Sequence, residues 1–164
     1  MVARARLFAP PALAALSAAA ALSLGRVFAS ARFVAPVLVA VAIAHGAGVL
    51  ARWRGWPTWA ALLTQVAALS AFVVVAFVPA FDVAGTSFND TGASLTTLLD
   101  HGVQLLRTAP PPAPATPGAV LLAVVATSVV AVVADWLAFR RQAVLGAIAP
   151  ALVLFVWAVT LGTD

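Results

Sequence analysis

Between Val124 and Gly162 two apolar runs flank a short polar break, and this pattern limits the fold more than anything else in the chain. The first run reaches Ala134, polar residues intervene at Asp135 and at Arg140, Arg141 and Gln142, and a second run follows from Ala143. Each run is about 20 residues, the length a helix needs to cross ~30 Å of hydrocarbon at ~1.5 Å per residue. In lipid an isolated strand would leave backbone N–H and C=O groups unpaired, so such runs are helices. The pair predicts a membrane hairpin whose tip is held on one side by arginine.

Composition extends this to the whole chain. With 9% charged and 64% hydrophobic residues, the chain falls far below the ~25% charge that solvates a water-soluble domain. The expected fold is an all-α integral membrane protein, a polytopic bundle of about five transmembrane helices in one membrane domain, 1–164. The spans are expected at about 7–25, 33–51, 59–79, 119–139 and 143–162, with an outer loop over 80–118. Pro150 falls inside the last span, where it kinks a helix or marks a broken one. The basic residues are all arginine and sit at span ends rather than in a stripe, which excludes a nucleic-acid face. With no cysteine, disulfides, thiolate nucleophiles and thiolate metal sites are excluded as well.

The first span has a rival reading as a signal peptide, with Arg4 and Arg6 as its basic start, Ala12 to Leu24 as its apolar core and Val27-Phe28-Ala29 as its cleavage site. Arg26 just before that cut, and a second apolar span soon after it, favour a retained helix. Orientation follows from the arginines of the short loops. With the N-terminus inside, Arg4, Arg6, Arg52, Arg54, Arg140 and Arg141 lie inside, and Arg26, Arg32 and Arg107 lie outside. The expected location is therefore the plasma (inner) membrane, with the N-terminus cytoplasmic and the C-terminus extracytoplasmic. Trp53, Trp56 and Trp59 flank an inner loop, where amphipathic rings settle at headgroup depth.

The long outer loop opens with a polar stretch, Asp82 to Gly92, and closes with a proline-rich strap, Ala109 to Pro117. Between them Leu95, Leu98, Leu99, Leu105 and Leu106 share one helical face, which predicts a short amphipathic helix over about 94–107 with Ser94 as N-cap. That helix is expected on the outer leaflet, or docked by its leucines against another protein domain.

Few polar residues fall within the spans, and each is a candidate for function or packing. Asp135 stands about 7 Å from the inner end of its helix. Its i+3 and i+4 neighbours are Ala138 and Phe139, while Arg140 and Arg141 project more than about 100° away. Asp135 therefore needs a partner on another segment, with Arg52 and Arg54 as candidates. It reads as a structural pair, and a proton or ion site is the alternative. His45 and Gln65 read as inter-helix hydrogen-bonding groups. The sequence order shows no Ser/His/Asp set, no H-E-x-x-H and no phosphate loop, so no catalytic, cofactor or metal site is expected.

One family resemblance follows from the second half. A leucine-rich helix (Leu98-Leu99-Asp-His-Gly102-Val-Gln-Leu-Leu106) leads through Thr108-Ala-Pro-Pro and a proline strap into a long span. That span ends Val133-Ala-Asp135-Trp-Leu-Ala-Phe-Arg140-Arg141, before Ala143-Val-Leu-Gly146 and another span. This order resembles the N-terminal membrane domain of TgpA-type transglutaminase-like proteins of actinobacteria and other bacteria. The resemblance covers residues 94–160 and departs from the family at Gln142, where proline is common, and at Gly146-Ala-Ile-Ala-Pro150. It implies a noncatalytic membrane-anchoring fragment in the cell envelope, placing an extracytoplasmic transglutaminase-like module outside, with that module and the lipid bilayer as partners. The alternative is a small polytopic subunit of a transporter or envelope complex, with a polar site around Asp135 and His45.

Overall fold

The computed structural model describes residues 2–78 and 88–162. Residues 79–87, with Asp82, and the terminal Asp164 lie outside the described residues, as do the side chains of Arg4, Arg6 and Asp90. Among the described residues six α-helices follow in order: α1 (Val2–Leu22), α2 (Val34–Trp53), α3 (Thr58–Phe77), α4 (Phe88–Thr108), α5 (Pro117–Phe139) and α6 (Val144–Leu161). Two 3-10 turns, Ser23–Arg26 and Ala31–Phe33, connect α1 to α2. Among the described residues the fold is all-α, and its one β-bridge is isolated, between Phe28 and Ala113. Three stretches, Ala31–Trp53, Thr58–Phe77 and Pro117–Phe139, are long and apolar enough to cross a membrane. Helix α6 is shorter in its apolar part, Leu145–Leu161, and runs unbroken through Pro150.

The turns have local causes. Helix α2 ends in a Schellman motif: the Gly55 N–H donates to the Arg52 carbonyl and the Trp56 N–H to the Ala51 carbonyl, at 3.1 and 2.9 Å. Gly55 stands at φ +66°, a conformation that costs a side-chain-bearing residue ~1–2 kcal/mol. Thr116 caps α5 by accepting from the Ala119 N–H, and Pro117 follows in the first turn, where its missing N–H is harmless. Helix α5 stops at Phe139, and Gln142 turns the chain at φ +54° into α6.

Helix α5 is the centre of the bundle and touches each of the other five helices. One stripe along it, Ala119, Ala123, Thr127, Ala131 and Asp135, recurs every fourth residue and is buried throughout. The helices packed on α5 also bury small residues, among them Ala40, Ala44 and Gly48 of α2 and Ala147, Ala151 and Ala158 of α6. Lipid tails are as apolar as leucine, so close backbone packing through small residues holds such helices together. Large apolar side chains point the other way: Leu63, Val75, Val129, Val153 and Val156 are each more than half exposed. In water a belt like this would aggregate, whereas in a bilayer it is the lipid-facing surface. Trp53 and Trp59 are also exposed, at 82% and 66%, beside the α2–α3 turn.

Helix α4 differs from its expected form in extent and in placement. It spans Phe88–Thr108, beginning six residues before the expected start, so Ser94 lies inside the helix and is not its cap. Its leucine face is partly buried by the bundle itself. Leu95, Leu98, Leu99, Leu105 and Leu106 pack against the core of the bundle itself. The cause is a glycine pair, since a Cβ on Gly102 would lie 2.5 Å from the Gly118 carbonyl oxygen, and one on Gly118 would strike the Leu98 carbonyl. Only glycines let the backbones of α4 and α5 approach so closely. The strap between them is tied down as well: the Ala29 N–H donates to Ala113 and the Ala113 N–H to Val27, at 2.9 and 2.7 Å. Val27 and Phe28, at the site a signal-peptide reading would cut, are thereby buried.

Candidate functional site, a buried polar cluster across four helices

Where α1, α2, α3 and α5 converge, the bundle encloses Ser17, His45, Gln65 and Asp135, each at most 5% exposed. Arg52 reaches this group from the last turn of α2. Its Nη1 donates to both oxygens of Asp135, at 2.8 Å each. Its guanidinium also stacks on the Phe139 ring, 3.9 Å from the centroid. Phe139 is one turn beyond Asp135, so α5 supplies both the counter-charge and the platform for one arginine. Isolated in hydrocarbon the carboxylate would cost at least ~2.5–3.5 kcal/mol, which explains why it stands where an arginine from an interface can reach.

Gln65 links three helices. Its Nε2 donates to the Ala44 carbonyl of α2 at 3.0 Å and to Asp135 Oδ2 of α5 at 3.3 Å. Gly48 makes room for both groups, because a Cβ there would lie 2.7 Å from Gln65 Nε2 and from Asp135 Oδ2. His45 lies opposite. Its Nε2 is 3.1 Å from Ser17 Oγ of α1, and its Nδ1 is 3.8 Å from Asp135 Oδ1, beyond hydrogen-bonding range.

The remaining arginines of this end go elsewhere. Arg54 faces the Trp56 ring at 5.9 Å, Arg141 faces Trp136 at 4.9 Å, and Arg140 donates to the Trp56 carbonyl at 3.1 Å. Asp135 thus draws its cation from α2, through Arg52 and not Arg54. Arg140 instead ties the α5–α6 turn to the α2–α3 turn.

Sequence order hid one arrangement. Ser17, His45 and Asp135 stand in space in the sequence hydroxyl, imidazole, carboxylate, although 28 and 90 residues separate them along the chain. Its chemistry differs from that of a nucleophilic triad. There the carboxylate accepts from the histidine, the serine oxygen is open to substrate, and donors await an oxyanion. Here both carboxylate oxygens accept from Arg52, the histidine lies 3.8 Å off, and Ser17 is 0% exposed. Nothing in the residue order around Ser17 signalled its position. It is one of several small residues on α1, and only the packing against His45 singles it out. Among the described residues no three His, Cys, Asp or Glu side chains gather to hold a metal.

No protein-family model, curated protein or solved structure matches the chain. Function is therefore read from the cluster and from the order of elements around it.

Proposed function

We propose that this chain is a noncatalytic membrane module that anchors an extracytoplasmic domain of the transglutaminase-like kind, and that its buried cluster fixes helix packing and not a reaction. The observation that carries this is the state of Asp135: both oxygens accept from Arg52 and one also from Gln65, which leaves the carboxylate engaged by the protein itself. The order of strap, long span, Asp135, arginine pair and further span supports the named kind of partner, by resemblance. In this reading α1, α2, α3, α5 and α6 are five spans of the plasma membrane. The arginine balance puts the N-terminus in the cytoplasm and α4 with the C-terminus outside.

Two measurements test it. A reporter fused after Asp164 is expected to be active outside the cytoplasm, and cytoplasmic activity overturns the orientation. Reading the coding frame downstream of Asp164 is expected to reveal an extracytoplasmic domain with Cys, His and Asp, and a stop codon there beside genes for transport ATPases overturns the anchoring role.

A second reading rests on two atoms. His45 Nδ1 and Arg52 Nη2 are buried without hydrogen-bond partners among the described residues, so the cluster has polar capacity to spare. A transporter or envelope-complex subunit would use that capacity for a proton or a small polar solute. Asp135→Asn separates the readings, and a fluorophosphonate probe tests the noncatalytic assignment of Ser17. The anchoring role predicts no labelling of Ser17 in the folded protein and unimpaired envelope function in the Asn variant. Labelling of Ser17 would reveal a nucleophile, and a strict loss of proton-coupled function in Asp135→Asn would establish the transporter.

A further inference from the structure

At the opposite end of α5 from Asp135, a cleft of about 390 Å³ opens between the 3-10 turn after α1 and helices α4, α5 and α6. The volume falls within the ~300–1,000 Å³ of small-molecule sites. Its wall is apolar, with Leu106, Leu122, Ala126, Trp157 and Leu161 among its residues, and Arg107 is the one charged residue that lines it. Arg26 stands beside it. It lies between the wall residues Leu24 and Val27, and its Cβ is so close to Gly162 that a Cβ there would sit 2.7 Å away. Both arginines are exposed, and neither has an acidic partner among the described residues. The nearest acid along α4, Asp100, is two turns from Arg107, about 10 Å and so about one Debye length.

Apolar walls and a rim with two arginines have different complements, and a lipid supplies both in one molecule. We propose that this cleft binds an anionic phospholipid, one acyl chain lying along Leu122, Ala126 and Trp157 and the phosphate held by Arg107 and Arg26. Arginine suits the headgroup because its planar fork matches phosphate oxygens. A choline headgroup would bring its own cation against the same rim, so the site discriminates by charge. The inference needs the membrane location of the bundle and is independent of the anchoring role.

Native mass spectrometry of the full chain, in detergent with equal amounts of dioleoyl phosphatidylglycerol and dioleoyl phosphatidylcholine, tests it. Phosphatidylglycerol is expected to be retained about tenfold over phosphatidylcholine. The double variant Arg26→Gln, Arg107→Gln is expected to lose that preference with an unchanged melting temperature, and Ala126→Phe, which fills the cleft, to lose retention altogether. Should Ala126→Phe fail to fold, brominated phosphatidylglycerol decides: it is expected to quench wild-type emission more than that of Trp157→Phe. Equal retention of the two lipids, undiminished preference in the double variant, retention by folded Ala126→Phe, or equal quenching overturns the proposal.

Discussion

Arg52→Ala is expected to destabilise the bundle by about 3 kcal/mol, the low end for breaking a buried ion pair, because 22% of the Arg52 side chain remains exposed. In a chain of this size that loss lowers the melting temperature in detergent by roughly 6–12 °C. The damage comes from what stays behind: a carboxyl at 8% side-chain exposure, with only Gln65 donating to it. The reverse substitution is expected to be gentler. In Asp135→Asn, Arg52 is left in the last turn of α2, where a long side chain can carry its charge out to the headgroups. The amide keeps a carbonyl oxygen for Arg52 or Gln65, so the cost falls to about 1 kcal/mol, with membrane insertion unaffected. Adding Asp135→Asn to Arg52→Ala should then restore part of the loss, as coupled neighbours do. Thermal unfolding of the four proteins followed by circular dichroism is the measurement. An Arg52→Ala protein that melts with wild type would show that the pair does not hold the bundle. Equal losses in the two single variants would remove the asymmetry on which the packing role rests.

The residues of this cluster were unequally visible in the sequence. Asp135 stood out because a carboxylate is rare in an apolar helix, and helical geometry alone turned it away from Arg140 and Arg141. A partner on α2 could be anticipated because short loops place helix ends at known depths. Gly48 and Ser17 could not be read in this way. The chain is so rich in alanine that small residues recur every fourth position on nearly every helix, and the buried stripe from Ala119 to Asp135 looks no different in sequence from stripes that face lipid. The outer helix shows the same limit from another side. Its leucine face was evident, yet amphipathicity states only that a face seeks cover. Whether lipid, another domain or α5 provides that cover depends on two glycines, Gly102 and Gly118, that are 16 residues apart and opposed only in the fold.

Those glycines carry the other large expected effect. Gly118→Ala is expected to detach α4 from α5, because the added methyl group would meet the Leu98 carbonyl on one side and the Gly102 nitrogen, at 3.0 Å, on the other. Both obstacles are backbone, so no rotamer change relieves them. Overpacking of this kind costs ~1–3 kcal/mol, and the upper part of that range applies where neither helix can yield locally. The loss should be confined to one element. Hydrogen exchange across α4 is expected to accelerate by up to about 100-fold, while α2 and the second half of α5, held by Arg52 and Asp135, keep their protection. Gly92→Ala supplies the control. It is also a glycine of α4, but a Cβ there meets nothing within 4 Å among the described residues, so the substitution should strengthen the helix by up to ~1 kcal/mol. Opposite signs from the same chemical change on the same helix would locate the effect in the contact and not in helix propensity. If Gly118→Ala left exchange in α4 unchanged, the close approach of the two backbones would not be what keeps the leucine face on the bundle.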